Sequence, residues 1–348
     1  MSKIIMAVVM LAAIPNGDPF AFFRPSLAIT DDERRELARG NPVAQLLDGE
    51  ESGVAVLAAV PVKIDGDRLV AWMRRIEQLK ASDYVLAIQR FSDPPRIADL
   101  AGLSLPDEDV VALRSCRPQR CDLKLSAGEM RAIQAAAAAA PGDWKATTRQ
   151  AFREMVLKRV QTYLASGELP PYDDNKTPVW PSARFASILD RSAFLTEGWP
   201  RLAGYLRAAP PPTAPDIESF LYWSKERLAN KAVVSVTHVS MVRGRQRPQP
   251  DALVAGRQIF ATHYVNASLG LTALVRGASG ESDCLVYLNR ADLDAMGGPF
   301  GPLIKWLTGR RLKAEAATAL AGLRRRLESG EPPPITPDPG RTPSARIP

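Results

Sequence analysis

The sequence predicts an α+β protein in which an antiparallel sheet carries a long C-terminal helix. Runs dense in β-branched residues occupy the first and last thirds of the chain, and helical patterns separated by proline-rich breaks fill the middle. Behind the last strand, Leu303, Ile304, Leu307, Leu312, Ala316, Leu320, Leu323 and Leu327 recur at helical spacing, opposite a face of Arg, Lys and Glu. With 348 residues, 46% of them hydrophobic, the chain can bury a large core.

Taken in order, residues 31 to 50 are polar and helical in character. Gly53 to Ile64 (GVAVLAAVPVKI) reads as a strand, and Asp67 to Lys80 as an amphipathic helix with Leu69, Trp72, Met73, Ile76 and Leu79 on one side and Asp67 as its cap. A second strand, Asp83 to Phe91, ends at the SDPP turn, where two prolines stop either element. Helices then dominate from 96 to 215, which reads as an insertion. One starts at a Ser126 to Glu129 capping box, one runs from Asp143 to Gly167, and two short ones lie between Phe185 and Pro210. Four strands follow, Lys231 to Gly244, Ala252 to Val265, Ala267 to Gly277 and Asp283 to Leu293. Their short connections favour an antiparallel meander. GGPFGP (Gly297 to Pro302) is a hinge into the last helix, and the proline-rich stretch 331 to 348 is expected to be disordered.

Lys3 and the apolar run Ile4 to Ile14 have the length of a signal-peptide core, so residues 1 to 21 are expected to direct a soluble protein to the periplasm or outside the cell. In an oxidising space Cys116 and Cys121 (CRPQRC) can close a small disulfide loop, leaving Cys284 outside it. The net charge of +7 is spread among acids, not gathered into a stripe. That argues against nucleic-acid binding and is compatible with transient contact with anionic membranes.

The order strand, helix, strand, helical insertion, meander and terminal helix resembles the helix-grip architecture of the START and polyketide-cyclase-like superfamily. The closest likeness is in LVYLNRADLDAMGGPFGPLIKWLTGRRLKAEAATALAGLRRRLES, which looks like the last strand, hinge and terminal helix of that fold. VAVLAAVPVKIDGDRLVAWMRRIEQLKASDYVLAIQRF is similar to its earlier strand, helix and strand. The resemblance implies a single domain over 31 to 330, with a sheet wrapped around the terminal helix and a cavity between them for a lipid or other hydrophobic ligand. The insertion is larger than that fold usually carries and could instead fill the cavity, leaving an interaction or assembly protein.

His238 and His263 are the only histidines. On neighbouring strands they could bind a polar head group or act as an acid/base pair on a hydrophobic substrate; two without a third ligand do not make a zinc site. Alternation places Arg257, Ile259, Ala261 and His263 on one strand face and Gln258, Phe260, Thr262 and Tyr264 on the other. A charge at Arg257 calls for a carboxylate, Glu226 or Asp292, or for an anionic ligand group. The expected ligand set is therefore Arg257, His238, His263 and Tyr264 at a polar head, with Phe300 and Trp306 as apolar gate residues. No Ser-x-x-Lys or Gly-x-Ser-x-Gly context and no phosphate or dinucleotide loop is present, so no catalytic residue and no cofactor is assigned.

Overall fold

An eight-stranded, wholly antiparallel sheet frames the protein in the order β1-β2-β8-β7-β6-β5-β4-β3. The computed structural model describes residues 18, 20–23, 27–47, 53–140, 142–208, 213–228, 230–244, 249–277, 282–294 and 301–330, the last helix from 301 to 312 by its backbone alone. The apolar run at 4 to 14, residues 297 to 300 of the hinge and the segment 331 to 348 lie outside the described residues.

The strands are β1 (Val43–Leu47), β2 (Gly53–Pro61), β3 (Val85–Arg90), β4 (Glu218–Leu228), β5 (Lys231–Arg243), β6 (Ala252–Ala261), β7 (Val265–Val275) and β8 (Cys284–Leu293). Two were not expected. β1 interrupts the polar region 31 to 50 because VAQLL pairs with β2 from Val43↔Ala59 to Leu47↔Ala55. β4 turns the four-stranded meander into five strands. Its bulky residues, Phe220 and Tyr222 on one side and Leu221 and Trp223 on the other, hide any polar alternation because both faces are covered.

One face, here called the inner face, carries α2 (Gly66–Met73), α3 (Ile76–Lys80) and α10 (Gly301–Glu328). The helix expected from Asp67 to Lys80 breaks at Arg74 and Arg75, where the Arg74 carbonyl accepts from Arg90 Nη1 at 2.9 Å. Asp65, not Asp67, is its N-cap, accepting from the amide of Arg68. α10 packs against β1, β2 and α2, burying Leu320 and Leu327 with Trp72, Met73, Phe220, Met241 and Val254. Arg326 donates to the carbonyls of Leu79 and Ala81 and Arg68 to those of Leu327 and Gly330, which ties the end of α10 to α2 and α3.

The opposite, outer face is roofed by the helical region between the two parts of the sheet. α4 (Asp107–Leu113), α5 (Ala127–Ala138) and α6 (Trp144–Ser166) cover Leu221, Trp223, Val234, Val236, Ile259 and Phe260. α7 (Pro181–Asp190), α8 (Ala193–Gly198) and α9 (Pro200–Arg207) cover β6, β7 and β8, together with Phe20, Phe22 and Phe23 and the short α1 (Asp31–Ala38). Helix ends follow the sequence: Thr30 with Glu33 and Ser126 with Glu129 close capping boxes, and Gly167 ends α6 at φ 72°, where a side chain would be strained.

Face alternation along β6 does not continue to its end. Val236 pairs with Phe260 and Thr237 with Gln258, so Ile259 is an extra residue in β6 and a β-bulge. Ile259 and Phe260 consequently both enter the outer core, and Ala261 returns to the inner face among Val54, Val56 and Val233.

Candidate functional site

The residues expected to gather at one polar head are separated. Arg257 and His238 are cross-strand partners, but they lie on the outer face under α6, α7 and α9, away from the C-terminal helix. His238 is hydrogen-bonded through Nδ1 to Tyr163 Oη at 2.8 Å and through Nε2 to Tyr205 Oη at 3.4 Å. Burial, helped by the neighbouring Arg257 charge, lowers its pKa to about 4, so it is neutral at pH 7. Arg257 pairs with neither expected acid: Glu226 is bound to Lys80 at 2.6 Å, and Asp292 accepts from Asn266 at 2.7 Å.

His263 follows the end of β6 and is tied elsewhere, with Nε2 at 3.0 Å from Asp109 Oδ2 and Nδ1 at 2.9 Å from the Asp122 carbonyl. The two imidazoles share no hydrogen-bond partner, so the acid/base pair does not form. Tyr264 sits at φ 63° in the turn after β6, and its hydroxyl donates to Asn230 Oδ1. Phe300 and the side chain of Trp306 lie outside the described residues. A disulfide joins Cys116 to Cys121, and the Asp122 carbonyl that holds His263 follows it directly.

A different constellation emerges on the inner face. Along β5 to β8 the positions facing this side in mid-sheet are Ser235, Thr237, Gly256, Gln258, Ser268, Gly270, Tyr287 and Asn289, all half-exposed, while the residues between them are buried. Register makes them one patch. Val239, Gly256, Gly270, Asn289 and Val56 form one row across the sheet, and Thr237 pairs with Gln258 in the next. The eight half-exposed positions of the patch are all polar or glycine, and Val239 and Val56 bound the row at its two ends. On one flank lie Val54, Val56, Val233, Ala291 and Ala316 of α10; on the other lie Phe220, Tyr222, Met241, Val254 and Leu274 with Trp72.

Glycine weakens a strand interior, and neither Gly256 nor Gly270 has a backbone conformation that demands it. A Cβ on Gly270 would make ordinary contact with Asn289 Nδ2 at 3.6 Å and Tyr287 Oη at 4.0 Å. A Cβ on Gly256 would press on Thr237 Cγ2 at 3.3 Å, so the paired glycines leave a shallow dent over Gly270, floored by backbone and rimmed by Thr237, Asn289 and Tyr287. Asn289 Nδ2 donates to Tyr287 Oη at 3.2 Å, which leaves the phenol hydrogen free to donate outward. Ser268 Oγ donates to Gln258 Oε1 at 3.1 Å, while Gln258 Nε2 is buried with no partner. Trp72 Nε1, in the adjoining apolar cluster, is likewise buried without an acceptor.

Charge at the rim is already balanced. Lys80 Nζ lies 2.6 Å from Glu226 Oε1 and 3.4 Å from Tyr222 Oη, and Ser224 links Glu226 to Ser235 through contacts of 2.6 and 3.3 Å. Burial pushes the Glu226 carboxyl up, but Lys80 overrides it and holds it below the usual range. Burial equally opposes the Lys80 charge, which Tyr222 and Glu226 restore and raise. Tyr287 is pushed up by burial, so it is a neutral phenol. Hydrogen bonding to neutral groups, with apolar flanks, is what this arrangement can offer a ligand. Among the described residues no cluster of three or more His, Cys, Asp or Glu is placed to hold a metal, and no helix is long and apolar enough to cross a membrane.

The signal for this patch was present in the sequence as Ser235 and Thr237, Gly256 and Gln258, Ser268 and Gly270, and Tyr287 and Asn289, each pair two residues apart in an apolar strand. Only alignment of the four pairs in register makes a site of them.

No protein-family profile and no curated protein matches the chain. Among solved structures, the crystal structure of the di-domain ARO/CYC BexL from the BE-7585A biosynthetic pathway aligns over 85% of this chain and 77% of its own, at 9% identity and a TM-score of 0.23. A score that low carries no argument about fold or function.

Proposed function

We propose that the protein binds a lipid-like hydrophobic molecule bearing one uncharged polar group, in the dent on the inner face, with α10 forming one wall in a helix-grip arrangement. The observation that carries this reading is the patch of eight half-exposed polar and glycine positions spanning β5 to β8. Its apolar part would lie along Val54, Val56 and Ala291, contributing about 25 cal/mol per Å² buried, and its polar group would accept from Tyr287 and Gln258. No acid/base machinery is called on, so the reading is carriage or sensing, not catalysis. The disulfide and the apolar N-terminal run support export to the periplasm or beyond, where such a ligand would be met at a membrane surface.

The test is native mass spectrometry of protein expressed with its own N-terminus, followed by solvent extraction of any mass excess, on the wild type and Gly270→Val. The wild type is expected to retain a stoichiometric hydrophobic molecule. The Cβ of the variant would meet the side chains of Asn289 and Tyr287 at ordinary distances, and the variant is expected to fold and to lose retention at least about tenfold, or ~1.4 kcal/mol. Equal retention by a folded Gly270→Val protein would move the ligand elsewhere. A bare mass in both, with no displacement of a fluorescent fatty probe, would leave a filled core and an interaction protein.

A further inference from the structure

Lys124 is 1% exposed, and its amine meets three acceptors: Asp294 Oδ2 at 2.6 Å, Asn266 Oδ1 at 2.7 Å and Asp174 Oδ2 at 3.4 Å. It lies over the Tyr172 ring at 5.1 Å. Asn266 is the extra residue where the register of β7 shifts between Val265 and Ala267; it is buried, and its Nδ2 donates to Asp292 Oδ1 at 2.7 Å. Asp174 Oδ1 is buried with no hydrogen-bond partner, and burial pushes this carboxyl up against the pull of Lys124.

A structural ion pair needs one carboxylate for one ammonium, and a second, buried carboxylate with an unpaired oxygen is costly. The surplus has a chemical use. A primary amine touching a carboxamide, beside a carboxyl that burial favours in its protonated form, supplies the nucleophile, electrophile and general base of an amide exchange. Contact with Oδ1 brings Nζ near the about 3–3.5 Å from Cγ at which such attacks begin. We propose that Lys124 and Asn266 react with each other to form an intramolecular isopeptide bond, a covalent crosslink from the segment behind the disulfide loop to β7. Asp174 takes a proton from the Lys124 ammonium, and the freed electron pair of Nζ attacks Asn266 Cγ. The Nζ–Cγ bond forms and the Cγ–Nδ2 bond breaks. Nζ keeps one hydrogen, Asp174 passes its proton to the departing nitrogen, and the second proton lost by Nζ follows. Ammonium and primary amide become secondary amide and free ammonium, so charge is conserved and no oxidant is consumed. The Asp294 side chain is 29% exposed, which gives the ammonium a way to water. The bond closes 142 residues of chain and fastens the helical cover to the sheet. It shares no residue with the dent and stands whether or not the dent binds a ligand.

Mass spectrometry of the full chain, reduced and denatured, tests this, with tryptic mapping of the wild type, Asn266→Ala and Asp174→Asn. Once its N-terminus is mapped, the wild type is expected to weigh one ammonia less than its linear sequence. Its digest should contain a branched peptide joining Lys124 to Asn266, uncut after Lys124. Asn266→Ala should have the linear mass and no branched peptide, and Asp174→Asn should lower the crosslinked fraction at least about tenfold, as expected for loss of a general base. A wild type of linear mass, cut by trypsin after Lys124, overturns the proposal without any variant having to fold. Loss of water in place of ammonia would put the bond on a carboxylate, Asp174 or Asp294, and overturn it equally. An unchanged crosslinked fraction in Asp174→Asn would overturn the proton transfer assigned to that residue.

Discussion

The two faces of one sheet have opposite fates in this protein. On the outer face the mid-strand side chains of β5 to β8 are buried beneath the helical cover, including a histidine and an arginine. On the inner face, between apolar clusters held by α2, α3 and α10, four strands present polar and glycine positions that stay half-exposed. Chemistry-bearing residue types are therefore a poor guide to the accessible surface here. Histidine and arginine are conspicuous in a sequence, yet here they are sealed into a core; serine, threonine, asparagine, glutamine and glycine are inconspicuous, yet they line the accessible surface. Accessibility decides a binding site as much as residue type does.

The comparison breaks most visibly on the outer face. Trp223 is 1% exposed and donates from Nε1 to the Asp99 carbonyl at 2.8 Å, so Trp223→Ala removes both a large core side chain and a buried donor. A loss of about 3–5 kcal/mol is expected in urea denaturation, because cavities in a sealed face cannot relax into solvent.

His238 gives a pH signature to the same face. Its folded pKa of about 4 lies below the 6.5 of an unfolded histidine, so the unfolded chain takes up a proton first. Stability is therefore full above pH 6.5 and falls as pH drops through the window toward 4, by up to about 3 kcal/mol from this group. His238→Gln should flatten that part of the stability curve measured by urea denaturation at stepped pH.

A smaller effect is expected at the rim of the outer cover. Replacing Cys116 and Cys121 by serine opens a loop with a sequence separation of five and should cost about 2 kcal/mol by chemical denaturation. Smallest is the effect on stability of Gly270→Ala on the inner face. The added methyl makes only ordinary contacts, and the expected change is a gain of about 0.5–1 kcal/mol, which sharpens the contrast when ligand retention is measured alongside. A site whose filling stabilises the fold has its glycines for a purpose other than folding.

Much of the secondary structure was legible locally. β2 and β5 to β8 announced themselves by β-branched density, α6 by Phe152, Met155, Val156, Val160 and Tyr163, and α5 by its capping box. β1 was lost in a polar stretch because five residues draw their strand character from pairing with β2, not from their own pattern. β4 was lost because bulky residues occupy both of its faces. The break in the helix after Met73 follows from a tertiary hydrogen bond, which no periodicity can show.

By itself the sequence determined the class of the protein: short-range periodicity and capping are set by residues three or four apart, and these dictate helices and strands wherever they occur. Only the tertiary structure decided the site. The bulge at Ile259 turned Phe260 into the outer core, the helical cover took the outer face and with it Arg257 and His238, and strand register aligned Gly256 with Gly270 and Asn289. Those outcomes depend on contacts between residues far apart in the chain, whose closing favours one arrangement of the whole sheet and is written in no single segment.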